Sequence, residues 1–499
     1  MTYHKDEPAN KFITTEEVDE KGQQTADFNE FGEKISENTF VNKTGLLETS
    51  TDTNGNKVSY GYDVHDDTLL QMSTTVNDEA NSNIMHYTGN LLTSLTHNNI
   101  EIKFEYDGFG KQTKVDVARA MYCTTEYEDI VETQILENGS SINVVTGQYT
   151  DLDGNVTKIE FVNASGILST ITENRYDGYG NLLHTKDNEM QNEISYSYDE
   201  FGRVIEKIYT QNNTPISIKN LYDKYGNVST TTVTIGSVVD SYENTYDYSN
   251  PEPKHISTKI GNVTETYGYD KLGRIKETQL GSLYSKHFNY LQKGNYTSNL
   301  VASEWFGKNG IVKESLKYSY DQNGNIIKVF ENGELIQSFE YDGISRLIRE
   351  NNKKLNKTTT FEYDAGGNIV RKIEYAYTTV ASDNLSGGTV IPYTYPTSGW
   401  RDQLLSYNFE TIEYDILGNP LTYRNNDLSW SHGRQLDRFN DITYKYNADG
   451  IRTSKTINGV TTQYYLDGTK ILAQSDGNML LFHYGNEGVV GFTYQGVGE

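Results

Sequence analysis

Three acid–glycine clusters carry the residue types that hold a hard cation: Asp52-Thr53-Asn54-Gly55-Asn56, Asp151-Leu152-Asp153-Gly154-Asn155 and Asp321-Gln322-Asn323-Gly324-Asn325. An EF-hand loop needs acids at positions one, three and five, glycine at six and glutamate at twelve. Here glycine comes fourth and no glutamate follows in register, so the clusters read as turns. The nine histidines (His4, His65, His86, His97, His184, His255, His287, His432 and His483) include no His-x-x-x-His pair, so the zinc-protease pattern is missing. Neither a Gly-x-Ser-x-Gly elbow nor a phosphate-binding Walker loop occurs. Gly178-Tyr179-Gly180-Asn181 begins like a dinucleotide fingerprint, but Leu183 stands at the third glycine position. A glycosidase needs two carboxylates at a set separation, and among 69 acids no pair is singled out. Trp305, Trp400 and Trp430 could stack on sugars, though cross-strand packing is the commoner use of such rings. No catalytic residue, cofactor site or metal ligand is therefore assigned.

The residues that do recur define a turn. Tyr-Asp occurs 11 times, beginning at Tyr62, Tyr106, Tyr176, Tyr198, Tyr222, Tyr246, Tyr269, Tyr320, Tyr341, Tyr363 and Tyr414. Eight copies extend to Tyr-Asp-x-x-Gly: Tyr106-Asp107 with Gly110, Tyr176-Asp177 with Gly180, Tyr198-Asp199 with Gly202, Tyr222-Asp223 with Gly226, Tyr269-Asp270 with Gly273, Tyr320-Asp321 with Gly324, Tyr363-Asp364 with Gly367, and Tyr414-Asp415 with Gly418. Asn, Lys or Arg follows each glycine, as in Arg203 and Arg274. The copies at Tyr62, Tyr246 and Tyr341 lack the glycine. Uninterrupted copies lie 21 to 24 residues apart, while Tyr269 to Tyr320 and Tyr363 to Tyr414 each span 51.

The chemistry of the motif predicts its shape. Before it the chain alternates, as in Ile194-Ser195-Tyr196-Ser197-Tyr198, which is the period of a half-buried strand. The Asp carboxylate can accept a backbone N–H two residues on and start a turn. Glycine then takes a positive φ at no steric cost, and the chain reverses. Second turns fall between motifs, with the hairpin pair Asn-Gly at Asn332-Gly333 and Asn458-Gly459. Only seven prolines occur, some clustered at Pro251-Glu252-Pro253 and from Pro392 to Pro396, as a long hydrogen-bonded ladder requires. The expected fold is all-β, a long series of antiparallel hairpins. Residues 1–105 read as a degenerate repeat region, 106–467 as the repeat itself with a loop insertion at 375–400, and 468–499 as C-terminal strands of one continuous architecture.

Composition agrees with thin sheet. Of 499 residues only 35% are hydrophobic, yet 12% are aromatic, with 40 Tyr against 17 Phe, and mean hydropathy is −0.68. Tyrosine suits a half-buried sheet because one end is apolar and the other polar. A net charge of −26 without a basic run weighs against nucleic acid as a partner. The single Cys123 excludes an intrachain disulfide framework. No apolar run reaches membrane-spanning length, and Met1 is not followed by a signal peptide. The final Gly491-Phe492-Thr493-Tyr494-Gln495-Gly496-Val497-Gly498-Glu499 reads as a strand cut mid-course.

The repeat resembles the YD-repeat or RHS family, which includes bacterial RHS and wall-associated proteins, cage-forming subunits of Tc toxin complexes and the teneurin barrel. The resemblance is clearest from Tyr106 to about Asp467. Gly399-Trp400-Arg401-Asp402-Gln403-Leu404 through Tyr414-Asp415-Ile416-Leu417-Gly418-Asn419-Pro420, with Tyr446-Asn447-Ala448-Asp449-Gly450-Ile451-Arg452, is similar to RHS proteins of Gram-positive bacteria. The resemblance implies that the hairpins spiral into a barrel-like or hollow shell. It implies a secreted or cell-surface location, and a role in enclosing or presenting a C-terminal toxin or effector that is not part of this chain. The family's self-cleaving core segment has no counterpart here, so neither cleavage nor toxin activity is carried over, and no enzyme is expected. The alternative expectation is an adhesion module that binds cell-wall or host glycans, or a protein, through aromatic stripes.

Overall fold

The computed structural model describes residues 15–496, apart from 54, 64, 67, 77–78, 118–120, 129–130, 139–140, 163–167, 250–252, 416 and 487. Among these residues the chain is built of strands and turns, without an α-helix. The protein is all-β. Strand Asn192–Tyr198 alternates half-buried and exposed residues along its whole length, and Ile100–Tyr106 does nearly the same. β-branched runs such as Val228–Ile235 supply the stiff side chains that a pleated surface accepts.

Neighbours in sequence pair antiparallel. Asn192–Tyr198 pairs with Val204–Gln211, which pairs with Thr214–Tyr222, which pairs with Val228–Ile235. Successive turns therefore alternate between two edges of the sheet. One edge of this stretch carries the tyrosine–aspartate turns. The other carries tight turns such as Asn212-Asn213, whose φ values of 48° and 61° are those of a type I′ hairpin. Asn332-Gly333 (50° and 87°) and Asn458-Gly459 (50° and 78°) turn in the same way.

By its internal contacts the chain divides into two units. The first comprises Met1–Ala120, Tyr269–Glu277 and Ser285–Ile412; the second comprises Met121–Gly268, Thr278–Tyr284 and Glu413–Glu499.

Within the first unit, turns of the N-terminal strands lie on the tyrosine–aspartate turns of later strands. Asn29 Nδ2 donates to the Gln322 carbonyl (3.4 Å), and Lys293 pairs with Glu33 (2.7 Å). Asn98 Nδ2 and Asn368 Nδ2 both donate to Asp402 Oδ1, at 2.9 and 3.0 Å. A Cβ on Gly343 would overlap the Asn56 amide, and one on Gly366 would overlap that of Asn98. Small residues stand where turn meets turn. Residues 377–384, inside the stretch read from sequence as a loop, are held by Arg349. Its guanidinium is 2% exposed and donates to Asn351 Oδ1, Ser382 Oγ and the Thr378 and Val380 carbonyls. Strand Thr389–Thr394 then pairs with Ile369–Ala376.

Within the second unit, C-terminal strands cover the repeat strands. Tyr209, Ile216, Ile218, Val233, Ile235, Tyr242 and Ile260 pack against Tyr465, Leu472, Ala473 and Leu481. Polar links flank this core. Tyr209 Oη donates to the Leu466 carbonyl (2.5 Å), Gln211 Nε2 to that of Tyr464 (2.8 Å), and the Ala448 N–H to Asp187 (3.0 Å). His483 Nδ1 meets Asp240 at 2.8 Å while its Nε2 meets Thr493 Oγ1 at 2.7 Å. These links engage the edge opposite the tyrosine–aspartate turns.

Candidate functional site

The repeated turn is the constellation that the sequence singles out, and its geometry separates the work of Asp from that of Tyr. In the copy at Asp177, Oδ1 accepts the N–H groups of Tyr179 (2.8 Å) and Asn181 (2.9 Å), and Oδ2 accepts Asn181 Nδ2 (2.9 Å). The backbone closes the same loop: Asp177 N–H donates to the Asn181 carbonyl (2.9 Å) and Gly180 N–H to the Asp177 carbonyl (3.1 Å). One carboxylate thus satisfies two main-chain donors and one side chain.

Asp199 repeats the arrangement with Arg203 Nε at 2.7 Å in place of the amide, and Asp270 repeats it with Arg274. Asp321 and Asp415 use Asn325 and Asn419. Asp364 binds Asn368 through backbone and side chain. Asp107 accepts Phe109 and Lys111 N–H, and Asp223 accepts Tyr225 and Asn227 N–H. Gly110, Gly180, Gly202, Gly226, Gly273, Gly324, Gly367 and Gly418 all have φ between 74° and 93°. The hydrogen bond from Asn181 holds the Asp177 carboxyl below its ordinary range, and the Arg203 guanidinium does the same for Asp199.

Tyrosine acts at longer range. Tyr198 Oη donates to the Leu182 carbonyl (2.7 Å), two residues past the glycine of the preceding turn. Tyr176 reaches Val156 (2.9 Å), Tyr222 reaches Val204 (2.9 Å), Tyr341 reaches Ile326 (2.9 Å) and Tyr363 reaches Leu347 (2.7 Å). Tyr106 bonds Leu92 (2.8 Å) and Tyr320 bonds Val301 (2.6 Å). A register shift accompanies each such tyrosine, as between Ser197 and Tyr198 or Glu362 and Tyr363, the mark of a bulge that re-aims a side chain. Where arginine follows the turn, its guanidinium lies over the next tyrosine in this series: Arg203 over Tyr222 (4.3 Å), Arg274 over Tyr290 (3.9 Å) and Arg346 over Tyr363 (4.6 Å). Burial pushes the Tyr198, Tyr341 and Tyr363 phenols up, so they remain protonated donors. Tyr269 and Tyr414 open turns of the same kind, through Asp270 and Asp415.

Sequence reasoning missed Tyr290, Tyr395 and Tyr484, which bond the Ile275 (2.7 Å), Ile369 (3.1 Å) and Ile471 (2.5 Å) carbonyls in the same way. None precedes an aspartate. For Tyr290 the available signal was spacing, since it lies 21 residues after Tyr269. The degenerate copy Tyr446-Asn447 also forms the bond, to Leu436 (2.7 Å). In the glycine-less copy at Tyr341, Ser345 takes φ 65° in glycine's place. Asp342 still accepts the Ile344 and Arg346 N–H groups and Arg346 Nε.

The cation-like clusters are the same turn. Asp151 accepts the Asp153 and Asn155 N–H groups and Asn155 Nδ2, and Asp52 accepts Asn56 twice. Among the described residues, no group of three or more His, Cys, Asp or Glu gathers as a bound metal would require. Of the tryptophans named for sugar stacking, Trp305 lies stacked on His287 at 3.6 Å, and Trp430 Nε1 donates to the Pro420 carbonyl (2.7 Å). Among the described residues, no helix is long and apolar enough to cross a membrane.

Antiparallel hairpins fastened by tyrosine–aspartate turns define a YD-repeat wall. Residues 1–365 match the teneurin YD-shell family, and the chain belongs to it. Double-stranded DNA deaminase toxin A of Burkholderia cenocepacia (strain H111) is 23% identical in an alignment 486 positions long that covers 91% of this chain and 30% of that protein. The crystal structure of TcdB2-TccC3 superposes with a TM-score of 0.68 at 11% identity, over 95% of this chain and 30% of that one. That of TcdB2-TccC3-Cdc42 gives 0.65 at 12% identity, over 95% and 28%. The fold is shared with these structures. The chain spans less than a third of the length of each of these relatives.

Proposed function

We propose that this chain is a wall segment of a secreted or cell-surface toxin shell, enclosing or presenting an effector carried elsewhere in a longer protein. The observation that carries the reading is the tyrosine hydroxyl ladder. Each rung ties a hairpin to the turn before it, so the repeats act as continuous sheet rather than as independent lobes. Such a sheet needs no thick core, which suits a wall with two wet faces and a chain with few aliphatic residues. Membership of a shell family and likeness to a protein named as a toxin support the same reading.

The full-length gene product provides the test. Under native conditions its non-shell region should resist protease until the wall is unfolded. Digestion of that region as fast as when it is expressed alone would sink the proposal.

A further inference from the structure

Within the second unit, repeat strands and C-terminal hairpins enclose a cleft of about 290 Å³, and a lysine without a counter-ion lines it. Ile218, Val233 and Leu472, each 4% exposed, give the cleft an apolar lining. Lys470 opens strand Lys470–Ser475, just after the reversal at Gly468, whose φ is 57°. Its ammonium lies 4.1 Å from the centre of the Tyr484 ring and 5.7 Å from that of Tyr242. Both rings are pinned by their hydroxyls: Tyr484 Oη donates to the Ile471 carbonyl (2.5 Å) and Tyr242 Oη to that of Phe482 (3.1 Å). The rings therefore stand in place before any ligand arrives, which spares a ligand the cost of ordering them.

What the ammonium lacks is an acceptor. Asp467 lines the same cleft, but its carboxylate is taken by Lys207 at 3.1 Å. Among the described residues no carboxylate pairs with Lys470, and no group accepts a hydrogen bond from its Nζ. Other lysines of this unit are paired, as Lys186 is with Glu173 and Lys259 with Glu243, both at 2.9 Å. Although the Lys470 residue keeps contact with solvent, desolvation of its amine lowers the pKa, against the opposing pull of Asp467. A larger share of Lys470 is therefore free amine than of a lysine held in an ion pair. A lysine desolvated beside apolar walls is a nucleophile that forms Schiff bases with carbonyl compounds.

We propose that this cleft is a covalent binding site for a single-ring aldehyde, which Lys470 holds as an imine. The Nζ lone pair attacks the carbonyl carbon and a C–N bond forms. The carbonyl oxygen then departs as water with the two amine protons, leaving a C=N bond, so no oxidant or reductant is consumed. Size and charge select the ligand. Ligand pockets run from roughly 300 to 1,000 Å³, so a cleft at the small end takes one ring, laid against the tyrosine faces. An anion is the poorer guest, because Asp467 stands in the cleft and the chain carries a net charge of −26. A neutral molecule that an amine can nevertheless capture is a carbonyl compound. The binding is independent of whether an effector is enclosed.

Pyridoxal is the probe, trapped on the intact chain with borohydride and located by peptide mass spectrometry. The comparison is Lys224, which also lies over a tyrosine ring (Tyr225, 4.8 Å) and has no ion pair among the described residues, but lines no part of the cleft. Lys470 should be trapped at least roughly fivefold faster than Lys224. The Lys470 rate should saturate with pyridoxal concentration, whereas that of Lys224 should rise in proportion. In urea the two should become equal, and in Lys470→Arg the fast phase should vanish with other sites unchanged. Equal rates at Lys470 and Lys224 in the folded chain overturn the proposal. So does a fast phase that survives in urea or in Lys470→Arg, which would place the reactivity outside the folded cleft. A Lys470 rate that never saturates overturns it too, because the amine would then react without a seat for the ring.

Discussion

Replacing Tyr363 with phenylalanine removes one oxygen and isolates the hydroxyl's share of the ladder. The ring can stay beneath Arg346, at 4.6 Å, while the 2.7 Å bond to the Leu347 carbonyl is lost. A neutral hydrogen bond of this kind is worth about 0.5–1.5 kcal/mol net. The chain has two units and many repeats, so a single global unfolding energy is the wrong observable. Local opening measured by amide exchange is the right one. The amides of the Asp342–Arg346 turn and of strand Leu347–Asn352 should exchange roughly 2- to 12-fold faster in Tyr363→Phe, the factor set by that energy. Exchange around Asp177 should not change, since that turn has its own tyrosine. Tyr363→Ala should add loss of the ring and of its cation–π contact, itself worth about 0.5–1 kcal/mol. If Tyr363→Phe leaves the 342–352 amides unaffected while Tyr363→Ala loosens them, the ring alone holds the repeat and the hydroxyl ladder is not what fastens it.

Gly343→Ala places a Cβ in the Asn56 amide, which is itself bonded to Asp52; overpacking of this kind should destabilise the turn-on-turn joint by about 1–3 kcal/mol, read as faster exchange around residue 56. Gly324→Ala meets only ordinary contact with Leu300, so its cost of about 1 kcal/mol should be backbone strain at φ 84°. Ser345→Ala, already in that conformation, should lose only the bond from Asn325 and cost less. Arg349→Met removes four hydrogen bonds from the segment's anchor and should make residues 377–384 the first site of limited proteolysis; an unchanged digest refutes the anchoring role. Asp177 and Asp199 have lowered native pKa values, so their contribution is complete above the unfolded value of about 4 and fades as pH falls through the lower native one. Protection of the 177–181 turn, taken against the intrinsic exchange rate at each pH, should fall below about pH 4, with a flatter profile in Asp177→Asn; loosening that begins above about pH 5 would contradict this.

Much of the wall was legible because the groups that make each turn act within five residues. Asp177, Gly180 and Asn181 are close in sequence, and their hydrogen bonds join the same residues, so a string search finds the turn. The fold class followed from strand alternation and from Asn-Gly pairs such as Asn332-Gly333. Legibility fell with distance. The partner of Tyr198 is a main-chain carbonyl 16 residues away, and any residue type supplies a carbonyl. Tyr290 escaped for the complementary reason: it keeps the hydroxyl bond but has Leu291 where Asp would announce a turn. Contacts between layers were invisible. Asn98 and Asp402 are 304 residues apart, and neither stands in a pattern that names the other.

The Tyr-Asp pair therefore joins two devices with different reach, and their adjacency is what allows a sheet to be built by repetition. Aspartate closes its own turn and would do so in isolation. Tyrosine, one residue earlier, sits at the bulge, where the register slips and its ring can lean towards the previous hairpin. Joining the two roles makes every reversal also a fastening, so a longer wall needs more copies and no larger core. The same logic locates what the repeat does not specify. Nothing in Tyr-Asp-x-x-Gly dictates the two intervening residues, and the second of them ranges from Gly366 and Asn323 to Ile344, Tyr179 and Phe201 while the turn stays the same.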